Sequence, residues 1–327
     1  MSSAGGDFGR RVAAALRERK LSIRAAARMM NYDHSFLSRV IAGKQVPSPQ
    51  LAEALDRLLN AEGTIVELAV SLTEDNRDRI ARAITNPTRV DRKAVDALAG
   101  VLAAQRRADD ALGPVPMIAA TEAQMTTVTG LLREARGPAR DGLAEVAAEY
   151  VQFGGWLHAS ARSDARAVVL LNEAAELADE ADSGPLAAQA LNFKGYLARR
   201  QGKPRAVARW FSAAYYTPGA HPAQRMGDAA QAAQGYAELG KTEDARRLLD
   251  EAANLADAAR DQPPGTAYWL TPTFQRLNLG LAHLGLGEFS EAAEHLRAGL
   301  DGLPADQQSA EWRVEYQDAL DRAEAQR

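Results

Sequence analysis

Along most of this chain apolar residues return every three to four positions, and nowhere do they alternate with polar ones over the length of a strand. Phe8, Val12 and Leu16 share one face of a helix predicted from Asp7 to Arg19. Ala26, Ala27 and Met30 mark the inward face of a short helix that Ser22 can cap, and Leu37 and Val40 that of a second, capped by Asp33. Ser48, with Pro49 at the first helical position, opens a fourth helix carrying Leu51, Leu55, Leu58 and Leu59. Asn60 to Gly63 ends it, and a short helix around Ile65 to Leu72 closes the group. Thr73 to Asp91 is charged and broken by Pro87, which reads as a solvated connector with a short helix inside. From Lys93 to Leu112 the pattern is again amphipathic, with Val95, Leu98, Val101 and Leu102 on one face that suits either a dimer interface or the first layer of a C-terminal body. Gly113-Pro114-Val115-Pro116 interrupts it, and a helix from about Glu122 to Arg136 comes next.

The two short helices are joined by Asn31-Tyr32. The chain must turn there through a left-handed conformation, which Asn tolerates next best to Gly. Ala27 sits where two steeply crossing helices need a small side chain. With Tyr32, Leu37 and Val40 turned inward, His34, Ser35, Ser38 and Arg39 form an outward strip able to enter a major groove. Leu21 to Gly43, with Lys44 and Pro47-Ser48-Pro49 after it, resembles the DNA-binding domain of lambda-type phage repressors and their xenobiotic-response-element relatives, over about the first sixty residues. It departs at Ile23, where the family usually has a phosphate-binding Gln, and at Asn31, where it usually has Gly. The resemblance implies that His34, Ser35 and Arg39 read bases, with Ser38 on the same strip, and that Arg24 and Lys44 hold phosphates. A helical hairpin that touches no DNA is the plainer alternative, and charge argues against it. Residues 1–60 carry a net +5 while the whole chain carries −4, so the remainder is acidic.

From about Leu143 the chain repeats itself. In SDARAVVLLNEAAELA (Ala167, Leu171, Ala174), GKPRAVARWFSAA (Gly202, Ala206, Trp210), GKTEDARRLLDEAANLA (Gly240, Ala245, Leu249, Ala252) and GEFSEAAEHLRAGL (Gly287, Ala292, Leu296), an Ala after a turn is followed four residues on by a large apolar side chain. This resembles the tetratricopeptide repeat, in which small residues let paired helices pack closely. Gly155, Gly195, Ala233 and Gly280 take the family's small position on the first helices, Tyr236 its aromatic position and Pro304 its closing proline. An insertion from about Ala259 to Pro272 holds Tyr268-Trp269, and a helix from Asp306 to Ala325 caps the stack. The expected fold is therefore all-α: a lambda-repressor-like helix-turn-helix bundle in residues 1–72, a connector in 73–92, and a tetratricopeptide-repeat superhelix of about four to five repeats in 93–327.

Composition narrows the chemistry. With 46% hydrophobic and 25% charged residues and no apolar run of spanning length, a cytoplasmic protein away from membranes is expected. Zero cysteines exclude disulfides and thiolate metal sites, and the five histidines lack the spacing of a zinc pair. No acid, base or nucleophile set stands out, so neither an enzyme nor a cofactor is expected. Transferring the repeat register puts Gln152, Trp156, Gln189, Asn192, Tyr196, Arg199 and Gln234 on an inner wall. Carboxamides there could pair with an extended peptide and the aromatics could lie flat against it. The alternative is that Trp156 and Tyr196 are core residues between repeats. The order of parts is similar to that of peptide-pheromone receptors of Gram-positive bacteria and of many actinomycete regulators. That resemblance implies a repressor-like homodimer on an inverted repeat of double-stranded DNA, with a body that dimerises and senses a peptide or small-molecule effector. The rival is a DNA-tethered protein-interaction scaffold without a small ligand.

Overall fold

A computed structural model describes residues 4–42, 47, 49–61, 74–260, 263, 267–303, 307–308 and 310–327, and among these every regular element is a helix. The chain divides into two units, Met1–Arg82 with Asp96–Ala104, and Ala83–Val95 with Gln105–Arg327. The dividing line runs through the connector and the long helix after it.

The first unit is built on α1 (Ala4–Glu18), α2 (Ile23–Met29), α3 (His34–Ile41) and α4 (Pro49–Leu59), and takes in most of α5 (Glu74–Thr85) and the middle of α6 (Arg92–Leu112). Phe8, Val12 and Leu16 of α1 meet Ala26 and Ala27 of α2, Leu37 and Val40 of α3, and Leu51 and Leu55 of α4 in one buried cluster. Both expected caps form: Ala25 N–H donates to Ser22 Oγ at 3.1 Å, and Phe36 N–H to Asp33 Oδ1 at 2.8 Å. Asn31 takes φ +58°, the left-handed turn that the pattern demanded. One contact had no counterpart in the periodicity. A Cβ added at Gly9 would lie 2.0 Å from the Ile41 carbonyl oxygen, so α1 and α3 approach backbone to backbone. Ser48 and the helix expected at 65–72 lie outside the described residues.

The second unit adds α7 (Val115–Glu134), α8 (Arg140–Ser160), α9 (Asp164–Glu180), α10 (Gly184–Arg200), α11 (Pro204–Tyr215), α12 (Pro222–Glu238), α13 (Thr242–Asn254), α14 (Pro272–Gly285), α15 (Phe289–Asp301) and α16 (Arg313–Ala325). α8–α9, α10–α11, α12–α13 and α14–α15 are four hairpins, and their first helices also touch in series. The pairing has a steric cause. A Cβ at Gly155 would come 2.6 Å from Leu171, one at Gly195 2.7 Å from Phe211, and one at Gly280 2.6 Å from Leu296. Ala233 and Leu249 keep the same sequence spacing in the third hairpin. Each large side chain therefore fills the notch left by a small one on the partner helix.

The second hairpin corrects the register read from sequence. Phe211, fully buried, takes the large position and Val207 the preceding one, while Trp210 and Ala206 are only partly buried. The turn residue Lys203 sets the helix phase one residue later than the alanine suggested, and Trp210 is left on the side for Arg209 and Lys194 to stack upon. The first hairpin turns without a glycine: Arg162 takes φ +64° where Gly202, Gly240 and Gly287 take +62°, +71° and +75°. A side chain in this conformation costs about 1–2 kcal/mol, part of which a glycine regains after its own unfolded-state entropy is counted. Arg162→Gly is expected to stabilise the second unit by about 1 kcal/mol in urea titrations followed by tryptophan emission; an unchanged or lowered midpoint would contradict this.

At the far end Leu277 and Leu281 of α14 pack on Tyr316, Ala319 and Leu320, so the last helix closes the stack as expected, although its described helical run starts only at Arg313. Pro304 lies outside the described residues. No helix among them is long and apolar enough to cross a membrane.

Candidate functional site

In the first unit α3 sits with Leu37 and Val40 fully buried, Ser35 and Arg39 exposed, and His34 and Ser38 part-exposed. The four therefore share the face opposite the core, as helical spacing required. Arg24 on α2 is exposed too, and Ile23 packs partly into the bundle. Lys44 lies outside the described residues. The capped ends and the left-handed turn fix the angle at which this strip is presented.

The second unit holds a cavity that the sequence did not announce. About 760 Å³ of empty space, part of it open solvent, lies between the C-terminal end of α6, the first helices α8, α10, α12 and α14, the segment 267–270 and α16. Trp156 lies against Phe193 and Tyr196 with ring centroids 5.1 and 4.8 Å apart, and Trp269 stacks on Phe193 at 6.0 Å. Phe274, Trp312 and Tyr316 form a second set of edge-to-face rings on the cavity wall. Asp109 and Asp110 of α6 project into this aromatic surround. The Trp156 indole N–H donates to Asp109 Oδ2 at 2.8 Å, and the Tyr268 hydroxyl donates to Asp110.

The inner-wall residues named from sequence separate into two groups. Trp156, Asn192, Tyr196 and Arg199 come together on the cavity wall. Gln152, Gln189 and Gln234 do not, and their placement corrects the expectation of a carboxamide-lined groove. All three are buried: Gln152 donates to the Leu186 carbonyl at 3.0 Å, Gln189 to Asn192 at 3.4 Å and Gln234 to Glu238 at 2.8 Å. The Gln152 bond joins the first hairpin to the second, and Gln189 also accepts from Gln224 of the third at 3.4 Å, whereas the Gln189–Asn192 and Gln234–Glu238 bonds stay within α10 and α12. Arg199 is also committed, giving two bonds to Glu315 of α16 at 2.6 and 3.2 Å and one to Gln231 at 2.7 Å. The inner wall is thus not an open channel. Segment 267–270 and α16 close over it.

Burial dominates the electrostatics. It pushes the Asp109 carboxyl up to about 7, the indole hydrogen bond opposing and the neighbouring charges of Asp110 and Glu311 assisting. Asp228, fully buried and bonded to Asn192 Nδ2 at 2.6 Å, is raised well above the usual carboxylate range by burial. Burial raises Glu149 as well, against the pull of Arg106, which donates to it at 2.9 Å. Arg106 and Arg199 on the cavity wall are therefore paired already, whereas Asp109 accepts from a neutral indole.

Tyr268-Trp269 was visible in the sequence as a dense aromatic pair, but nothing local said where it would land. Asp109 left a trace: the apolar face Val95, Leu98, Leu102 runs on by helical spacing to Arg106 and Asp109, placing charge where the pattern called for burial.

Residues 7–69 match the family model described as a helix-turn-helix domain. No curated protein matches the chain. Among solved structures, the apo form of the competence regulator ComR from Streptococcus vestibularis is similar at 12% identity and a TM-score of 0.31, with 97% of this chain and 99% of that one covered. A likeness of that size carries no weight beside the packing itself. The chain thus carries a helix-turn-helix DNA-binding domain at its N-terminal end, with an all-helical body of stacked hairpins behind it.

Proposed function

We propose that the protein is a sequence-specific transcription regulator that acts as a homodimer on an inverted repeat, with an N-terminal domain of residues 1–72 and a body from 93 onward that senses a small effector. The observation that carries this reading is the exposed strip of α3, held at a fixed angle by two side-chain caps and the Asn31 turn, in a basic module of a matched DNA-binding family. Each head lays α3 in a major groove, His34, Ser35, Ser38 and Arg39 facing base edges and Arg24 and Lys44 the phosphates. Arg39 offers a guanine two parallel donors. An aromatic cavity walled by segment 267–270 and α16 favours a small effector over the scaffold reading, since an interaction scaffold needs its whole inner wall exposed. Such a ligand alters DNA affinity only through unequal binding to two arrangements of the protein.

Selection from a random duplex library, followed by anisotropy titration of the recovered site, tests the proposal. Arg39→Ala is expected to cost about 1–3 kcal/mol on that site and to relax preference at one base pair. An equal loss on every duplex would make Arg39 a backbone contact, and recovered sites without two-fold symmetry would remove the dimer.

A further inference from the structure

We infer that the cavity between α6, α8, α10 and α16 is a binding site for a flat aromatic or alicyclic amine in its cationic form, seated on Trp156 and Trp269 with its ammonium at Asp109. This deepens the sensing reading above and rests on it.

Three observations select a cation. First, the wall carries two carboxylates, Asp109 and Asp110; the Trp156 indole, a neutral donor, bonds the first, and the Tyr268 hydroxyl donates to the second. Second, the arginines on the wall are spent: Arg106 on Glu149, and Arg199 on Glu315 and Gln231. An anionic ligand would have to break a buried ion pair, while a cation displaces nothing and supplies Asp109 with a counter-charge at Oδ1, which no hydrogen bond in the described residues occupies. Third, the remaining wall is ring faces, with Trp156, Phe193 and Trp269 in one overlapping series. Such faces attract a desolvated cation and offer apolar area to a flat body. Burial and the like charges beside Asp109 hold its carboxyl up at about 7, a cost that an ammonium at Oδ1 relieves.

A peptide fits less well. The segment 267–270 crosses the inner wall to stack Trp269 on Phe193, and Glu315 of α16 reaches Arg199, so the line an extended chain would follow along the first helices is occupied.

The test is calorimetry on the full-length protein with three probes of one shape: 1-naphthylmethylamine, 1-naphthalenemethanol and 1-naphthaleneacetate. The amine is expected to bind at least tenfold more tightly than either of the others, and Asp109→Asn to remove that advantage while leaving the alcohol's affinity within about twofold. Equal affinities, tightest binding of the acetate, an unchanged preference in Asp109→Asn, or no heat from any probe at millimolar concentration would overturn the inference. The wild-type comparison decides the matter by itself should the variant fail to fold. Operator binding measured in the same samples separates the two readings. Intact DNA binding without amine binding removes this ligand class alone, and amine binding that leaves operator affinity unchanged keeps the site but removes its role in sensing.

Discussion

Asp109→Asn should make the body of this protein more stable at pH 8 and leave it nearly unchanged at pH 4. The ordinary carboxyl of the unfolded chain titrates near 3.8, and burial holds the folded one up at about 7. Between those values the native state keeps a proton that the unfolded state has released, so stability declines as pH rises through the window. Above it the wild-type chain bears an ionised, poorly solvated carboxylate beside Asp110 and Glu311, at a cost of up to about 4 kcal/mol. An amide keeps an acceptor for the Trp156 indole and carries no charge. Glu149 and Asp228 titrate with the same sign in both proteins, so the difference between variant and wild type isolates position 109. Urea titrations at pH 4, 6 and 8 suffice, because all four tryptophans lie in the second unit and their emission reports on it alone. Parallel pH profiles for the two proteins would show that Asp109 is solvated in solution.

Gly9→Ala is expected to abolish DNA binding while leaving that tryptophan-monitored transition where it is. The added methyl would sit 2.0 Å from the Ile41 carbonyl oxygen, and its neighbour is backbone, not a side chain that could swing aside. Relief requires α1 and α3 to separate, which opens the contact of Phe8 and Val12 with Leu37 and Val40 and tilts the α3 strip out of line. Overpacking of this kind costs roughly 1–3 kcal/mol or more, a large share of what a small bundle has. Anisotropy on the selected duplex reads the binding, and amide exchange of residues 8–40 reads the bundle. A variant that binds like wild type would mean that the two helices can part without turning α3.

Much of the head was legible because its determinants are local. The caps at Ser22 and Asp33, the left-handed residue at Asn31 and the apolar spacing all act within one or two turns of helix, and all four are found where the residue types put them. Gly9 escaped, since its requirement is set by a helix more than two turns of chain away. The hairpins were legible for a related reason. A small residue on one helix and a large one on the next recur at a fixed spacing, and the one slip, Trp210 for Phe211, came from counting an alanine when the turn residue Lys203 sets the phase.

The cavity belongs to the other category. Its walls come from α6, from the first helices of all four hairpins, from an insertion and from the last helix, segments more than a hundred residues apart in places, as Arg199 and Tyr316 are. Sequence alone determined the helical class, the outward strip of α3 and the stacking of hairpins, because hydrophobic period, capping and turn chemistry operate between near neighbours. Only the tertiary structure decided that the glutamines are buried away from the cavity, that the aromatics line one partly open space, and that Asp109 stands among them bonded to an indole and not to a cation. Which side chain fills or faces a space depends on what arrives from elsewhere in the chain, and no local pattern carries that.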